Sequence, residues 1–128
     1  MCENTQELVN SKWKEALSHI NDNLNDDSIK IALNSLSELN GVGIPTASAL
    51  LTAWNPMQFG ILDFKVLKVL KMKELYSGSS YVDYRKKLLE LKKLHSELSR
   101  CTLRQIELAL WHYYSIQETG PKEWSAIK

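Results

Sequence analysis

Between Glu38 and Lys65 the chain carries a single charged side chain, Asp63. A carboxylate isolated in a neutral stretch has the means to act as a general base or to stabilise positive charge that develops during a reaction. Asp is also a preferred helix N-cap, with an oxygen placed to accept the N–H of Lys65 or Val66, so the residue alone leaves both roles open. Upstream, Gly41, Val42 and Gly43 lie between two segments of helical spacing. Glycine adopts positive φ without steric cost, so this triplet permits a tight reversal that leaves backbone N–H groups facing outward. Pro45 fits the first helical position, where a missing N–H costs nothing. The first N–H groups and the dipole of the helix that follows are a site for a phosphate. A bare Gly-x-Gly serves equally well as a helix C-cap and connector.

Lys65 and Lys68 stand in the first turns after Asp63 and are candidates for further phosphate contacts, each adding to the salt dependence of binding. Trp54, Trp111, Tyr113 and Tyr114 offer flat faces for stacking on a base, although such spacings equally describe a helical core. His19, His95 and His112 have no partner at metal-ligand spacing. His95, four residues after Leu91 on an apolar stripe, reads as a core-edge residue. Cys2 and Cys101 make no metal-binding pattern and only a weak case for a disulfide. No metal site is therefore expected from side chains.

The elements that must position these residues are helices. Val9, Trp13, Ala16, Leu17 and Ile20 recur at helical spacing over 6–20, with Asn4 or Thr5 as the N-cap. The run Asn21 to Asp27 is rich in turn and capping residues. Ile29, Ala32, Leu33, Leu36 and Leu39 mark the next apolar face, which ends near Asn40. Pro45 to Trp54 carries Ala47, Leu50, Leu51 and Trp54 on one side and small residues around the rest, so this helix is expected to be enclosed at the centre of the core. Asn55-Pro56 ends it.

From Asp63 onward, Val66, Leu67, Val69 and Leu70 are expected to face inward while Lys65, Lys68, Lys71 and Lys73 line the outside. Ser77 to Ser80 reads as a polar linker. A long helix is expected from about Tyr81 to Leu98, with Tyr84, Leu88, Leu91 and Leu98 inward and Arg85, Lys86 and Lys87 outward. Thr102 caps a last helix on which Leu103, Ile106, Ala109, Leu110 and Tyr113 align. The expected fold is all-α, a compact bundle of about six helices. Residues 1–117 would form one domain and 118–128 an irregular tail onto which Trp124 docks.

With these elements placed, LNGVGIPTA followed by ILDFKVLKVL resembles the helix-hairpin-helix motif and catalytic-aspartate segment of the base-excision DNA glycosylases, the endonuclease III-like group. Thr46 and Ala47 match the family's Thr-Ala pair, and Asp63 falls 17 positions after Thr46, a spacing similar to the family's. The resemblance covers Leu39 to Leu70, 32 of 128 residues. It implies that Gly41, Val42, Gly43 and Thr46 grip the backbone of duplex DNA without reading sequence, with Lys65 and Lys68 nearby. It also implies that Asp63 assists water attack as a damaged base departs, and that the hairpin carbonyls can coordinate a monovalent cation. Pro45 stands where lyase-active members carry a nucleophilic Lys, so strand cleavage from that position is excluded. Asn40 replaces the usual hairpin Pro, and the cysteine quartet that holds an iron–sulfur cluster in some members is absent. No cofactor is expected. The alternative reading is a catalytically inactive helical module that binds DNA or a protein.

Composition agrees with an ordinary globular protein, 44% hydrophobic and 24% charged. The uncharged stretch Pro45 to Leu62 contains Asn55, Pro56, Gln58 and Gly60 and is not a membrane span. No basic leader followed by an apolar run opens the chain, so an intracellular location is expected. The net charge of +1 is unevenly spread. Residues 1–44 carry three basic side chains against seven acidic, whereas 64–104 carry eleven basic against four acidic. The electrostatic footprint for a polyanion therefore lies C-terminal to Asp63.

Overall fold

In the computed structural model, which describes residues 5–21 and 23–119, six α-helices and one short 3-10 turn account for the secondary structure. Thr5 caps α1 (Gln6–Ile20), its hydroxyl accepting the N–H of Leu8 at 3.1 Å. Asn4, the other expected cap, lies outside the described residues, as do Cys2 and Trp124. Asn25 starts α2 (Asp26–Ser37) with a reciprocal capping box, in which Asn25 and Ser28 each bond the other's backbone N–H. The chain then turns through Gly41, whose φ of +78° is the left-handed conformation that favours glycine. It enters α3 (Ile44–Trp54) at Gly43, with Pro45 in the first helical turn.

Asp63 caps α4 (Phe64–Val69), and Ser77 caps α5 (Gly78–Leu94). The expected Ser77–Ser80 linker is therefore helical after its first residue. The Ser77 hydroxyl accepts the N–H of Ser80 at 3.1 Å, and that bond sets the helix start three residues early. At its other end α5 stops at Leu94 instead of Leu98, and residues Ser96–Leu98 form the separate 3-10 turn. His95 sits exposed at this break and is not a core-edge residue.

Thr102 and Gln105 form the capping pair of α6 (Leu103–Thr119), the hydroxyl accepting the Gln105 N–H at 3.0 Å and the amide oxygen accepting the Thr102 N–H at 2.9 Å. The helix runs past the expected boundary at 117, because no breaker occurs before Gly120-Pro121. Residues 120–128 lie outside the described residues.

The core joins Ala16 and Ile20 of α1, Ile29, Leu33 and Leu36 of α2, Leu51 of α3, Val66 and Leu67 of α4, Tyr81, Tyr84 and Leu88 of α5, and Leu103 and Ile106 of α6. Each fully buried aliphatic side chain of this set contributes about 1.5–3 kcal/mol. Helix α2 packs against α1, α3 and α5, while α6 packs against α4 and α5.

Three expectations about inward faces are corrected. Helix α3 is not enclosed all round: Ala47, Ser48, Leu51 and Thr52 are buried, but Leu50 and Trp54 are 39% and 36% exposed. Those two side chains border an apolar groove shared with Val9 and Trp13 of α1. Arg85 is buried, not on the outer face of α5, because its guanidinium is satisfied by the Gln58 backbone carbonyl and side-chain oxygen at 2.7 and 2.9 Å. On α6, Tyr113 and Ala109 face solvent.

Candidate functional site

Asp63 is delivered by a loop whose backbone is fastened to three helices. The Leu62 N–H donates to Ser48 Oγ of α3 at 2.9 Å, and Ser48 in turn donates to the Pro45 carbonyl at 2.7 Å. The Ile61 N–H donates to Glu107 Oε1 of α6 at 2.9 Å, while its carbonyl accepts Tyr84 Oη of α5 at 2.7 Å. Gly60 exchanges hydrogen bonds with Tyr81 Oη, its carbonyl accepting at 2.8 Å and its N–H donating at 3.3 Å. A loop with so few bonds to its own backbone requires such side-chain partners when buried. Among the described residues, no buried side-chain polar atom is left unsatisfied.

The direction of the chain into α4 is thereby set, and the Asp63 carboxylate accepts the Lys65 N–H through Oδ2 at 2.9 Å. The capping role expected of this residue is present. The same carboxylate borders a cavity of about 300 Å³, shared with Ile61, Arg104, Glu107, Leu108 and Trp111. Glu107, one of its lining residues, is 2% exposed and paired with Arg104. Burial pushes the Glu107 carboxyl above the usual range; its hydrogen bond from Ile61 and the Arg104 guanidinium pull it back, and the negative charge of Asp63 pushes it further up. The cleft thus holds a partly exposed carboxylate, a guanidinium and an indole face.

Lys65 and Lys68 stand on the face that α4 shares with α6. Lys65 Nζ lies 4.9 Å from the ring centre of Trp111 and 5.9 Å from that of Tyr114. Lys68 Nζ lies 5.5 Å from the Phe64 ring. These are cation–π distances, in which the ring face attracts the ammonium. Trp54, by contrast, packs near Phe59, with ring centres 6.3 Å apart, and borders the groove between α1 and α3. Of the aromatic stacking candidates, Trp111 lines the Asp63 cleft, and Tyr113 and Tyr114 line a neighbouring cavity with Lys68 and Lys71.

Gly41 and Gly43 are exposed, Val42 is half-buried and Thr46 is exposed in the first turn of α3. A Cβ on Gly43 would meet only Pro45 Cδ, at 3.7 Å, and one on Gly41 would meet nothing within 4 Å. The turn is therefore open to solvent at both glycines, while the Val42 N–H is taken by the Leu39 carbonyl at 3.1 Å. Its physical link to Asp63 runs through Ser48, which stands one helical turn into α3 and holds the residue before the aspartate.

Sequence reading missed Ser48, Tyr81, Tyr84, Arg85 and Glu107 as the residues that fix this loop. Glu107 carried a signal: it falls among Leu103, Ile106 and Leu110 on the apolar face of its helix, where an acid must find a partner. No such signal marks Ser48, a small residue on a small-residue helix. Among the described residues, no group of three or more His, Cys, Asp and Glu side chains is gathered in one place. In comparisons with known proteins, the chain matches no family model, no curated protein and no solved structure.

Proposed function

We propose that this protein binds duplex DNA through the Gly41–Gly43 turn and Thr46, and that Asp63 assists removal of a damaged base without strand cleavage. The supporting observation is the position of Asp63: it caps α4 and at the same time borders a cleft with Arg104 and Trp111, beside α3, the helix that the glycine turn introduces. In the proposed reaction the bond between the sugar C1′ and the base nitrogen breaks. Asp63 stabilises the positive charge that develops on the sugar and orients a water, whose oxygen bonds to C1′ while its proton passes to the Asp63 carboxylate and from there to solvent. The base departs with the electrons of the broken bond. Pro45 supplies no amine at the hairpin, so no Schiff base forms there.

Two substitutions test the two halves of the reading. Gly43→Ala is open on the protein side, so a loss of affinity for labelled duplex at low salt would report blocked approach of the phosphate backbone. Undiminished affinity would overturn the hairpin grip. For the chemistry, duplexes each bearing one uracil, one oxidised purine or one alkylated purine are incubated with the wild type and with Asp63→Asn. Base release that disappears in the variant, with duplex binding retained, is the expected result. Release that survives the substitution, or no release from any duplex with the wild type, would overturn the catalytic role.

A further inference from the structure

Beyond the Asp63 cleft, α4 and α6 share an outer face on which cations and aromatic rings alternate. Lys65, Lys68 and Lys71 occupy it from the α4 side, and residues 64–71 contain no acid. Trp111 and Tyr114, one helical turn apart and both beside Lys65, occupy it from α6, and residues 108–117 contain no charged side chain. Phe64 meets Tyr114 edge to face, with ring centres 6.4 Å apart. The Asp63 cleft lies at one end of this face, and a second cavity of about 290 Å³, bordered by Lys68, Lys71, Tyr113 and Gln117, lies at the other. Residue numbers rise together along both helices, so the two cavities and the Lys65–Trp111 contact between them form one track. From Arg104 to Gln117 it is about 20 Å long.

Large aromatic rings left in water need a reason. Phe64 and Trp111 are 38% and 37% exposed on this one face, each within cation–π reach of a lysine that a core would not tolerate unpaired. A partner that is only a polyanion has no use for the rings, and an apolar partner has no use for the lysines. A duplex offers phosphates but keeps its base faces stacked inside. The partner that uses both is a strand with unpaired bases, whose phosphates meet ammonium groups while its bases lie on flat side chains.

We propose that the α4–α6 face is a binding track for single-stranded DNA, with Lys65, Lys68 and Lys71 holding phosphates and Trp111 and Tyr114 stacking bases. It extends the DNA-binding reading: the track begins at the Asp63 cleft and shares Trp111, Lys65 and Lys68 with it, and adds Lys71, Tyr114 and an unpaired strand as the partner. The axial spacing of a stacked strand, 3.4 Å or more per nucleotide, gives the track room for roughly five nucleotides.

The test uses the full chain and fluorescently labelled oligo(dT) of twenty nucleotides, with a matched duplex and dextran sulfate as competitors. Trp111→Ala/Tyr114→Ala, verified as helical by circular dichroism, should weaken oligo(dT) binding about tenfold or more and duplex binding by less than threefold. Trp111→Phe, which keeps a ring, should stay within about threefold of wild type. If the double variant fails to fold, Lys68→Glu/Lys71→Glu, both exposed, serves instead and should also lose about tenfold.

Oligo(dT) affinity unchanged in either folded variant overturns the proposal. So does dextran sulfate that competes as well as oligo(dT) per unit charge, since the rings would then play no part. Base release and duplex binding by the wild type, Gly43→Ala and Asp63→Asn bear on the proposed function, whereas the dependence of oligo(dT) binding on the Trp111 and Tyr114 rings bears on this track.

Discussion

Ser48 Oγ accepts the N–H of Leu62 at 2.9 Å, and this bond ties the helix after the glycine turn to the residue before Asp63. Both partners are buried, Ser48 fully and Leu62 to 2% exposure. The two stretches that give the chain its candidate chemistry are therefore joined through a serine that belongs to neither.

Ser48→Ala leaves the Leu62 N–H buried with no acceptor, and the desolvation of such a group costs about 1–3 kcal/mol. The urea midpoint of unfolding should fall accordingly with an unchanged slope. An unchanged midpoint would mean that water or a rearranged loop replaces the hydroxyl.

Gly60 should be the least replaceable glycine. A Cβ there would approach Leu88 Cδ1 to 2.9 Å and Glu107 Cβ to 3.2 Å, inside a packed core. Overpacking of this kind costs about 1–3 kcal/mol, so Gly60→Ala should lower the melting temperature by several degrees. Gly43→Ala, with only Pro45 Cδ at 3.7 Å, should change stability by less than about 1 kcal/mol. Equal effects at the two positions would contradict the packing described around the Asp63 loop.

Glu107 makes stability depend on pH. Its carboxyl is raised above the usual range, chiefly by burial, so the folded state holds the proton more tightly than the unfolded chain. That contribution is fully present below the ordinary glutamate value and is lost as pH rises through the elevated one. Glu107→Gln keeps an oxygen for the Ile61 N–H and removes the titration. Its unfolding free energy, followed from pH 4 to 8, should fall less with rising pH than that of the wild type. A variant that tracks the wild type across this window would place the titration elsewhere.

Lys71 holds φ +59° in the turn that ends α4, where the Met72 N–H bonds the Leu67 carbonyl at 2.9 Å and the Lys71 N–H bonds that of Lys68 at 3.1 Å. Glycine normally occupies this position, and a side chain in the left-handed region costs about 1 kcal/mol. Lys71→Gly should stabilise the fold by about 0.5–1 kcal/mol and at the same time weaken oligo(dT) binding through loss of one ammonium. Thermal unfolding and the binding titration together check both signs.

By itself the sequence determined that the chain is helical, where α1, α2 and α3 run, and that Asp63 caps the helix after the loop. Those properties follow from apolar periodicity and from residues that bond their own neighbours three positions on, so a local window contains the cause. It did not determine that α5 begins at Gly78 or that α4 stops before Lys71, because those ends depend on a competing cap and on a left-handed lysine. Nor did it show Arg85 turned inward. Only the tertiary structure decided which side chains hold the Asp63 loop: Ser48, Tyr81, Tyr84 and Glu107 lie 14 to 46 positions from their backbone partners, and no short-range pattern records such distances. The gathering of lysines from α4 and rings from α6 onto one face has the same origin. Each helix carries half of that face, and the halves meet only because Val66, Leu67, Leu103 and Ile106 are buried together beneath it.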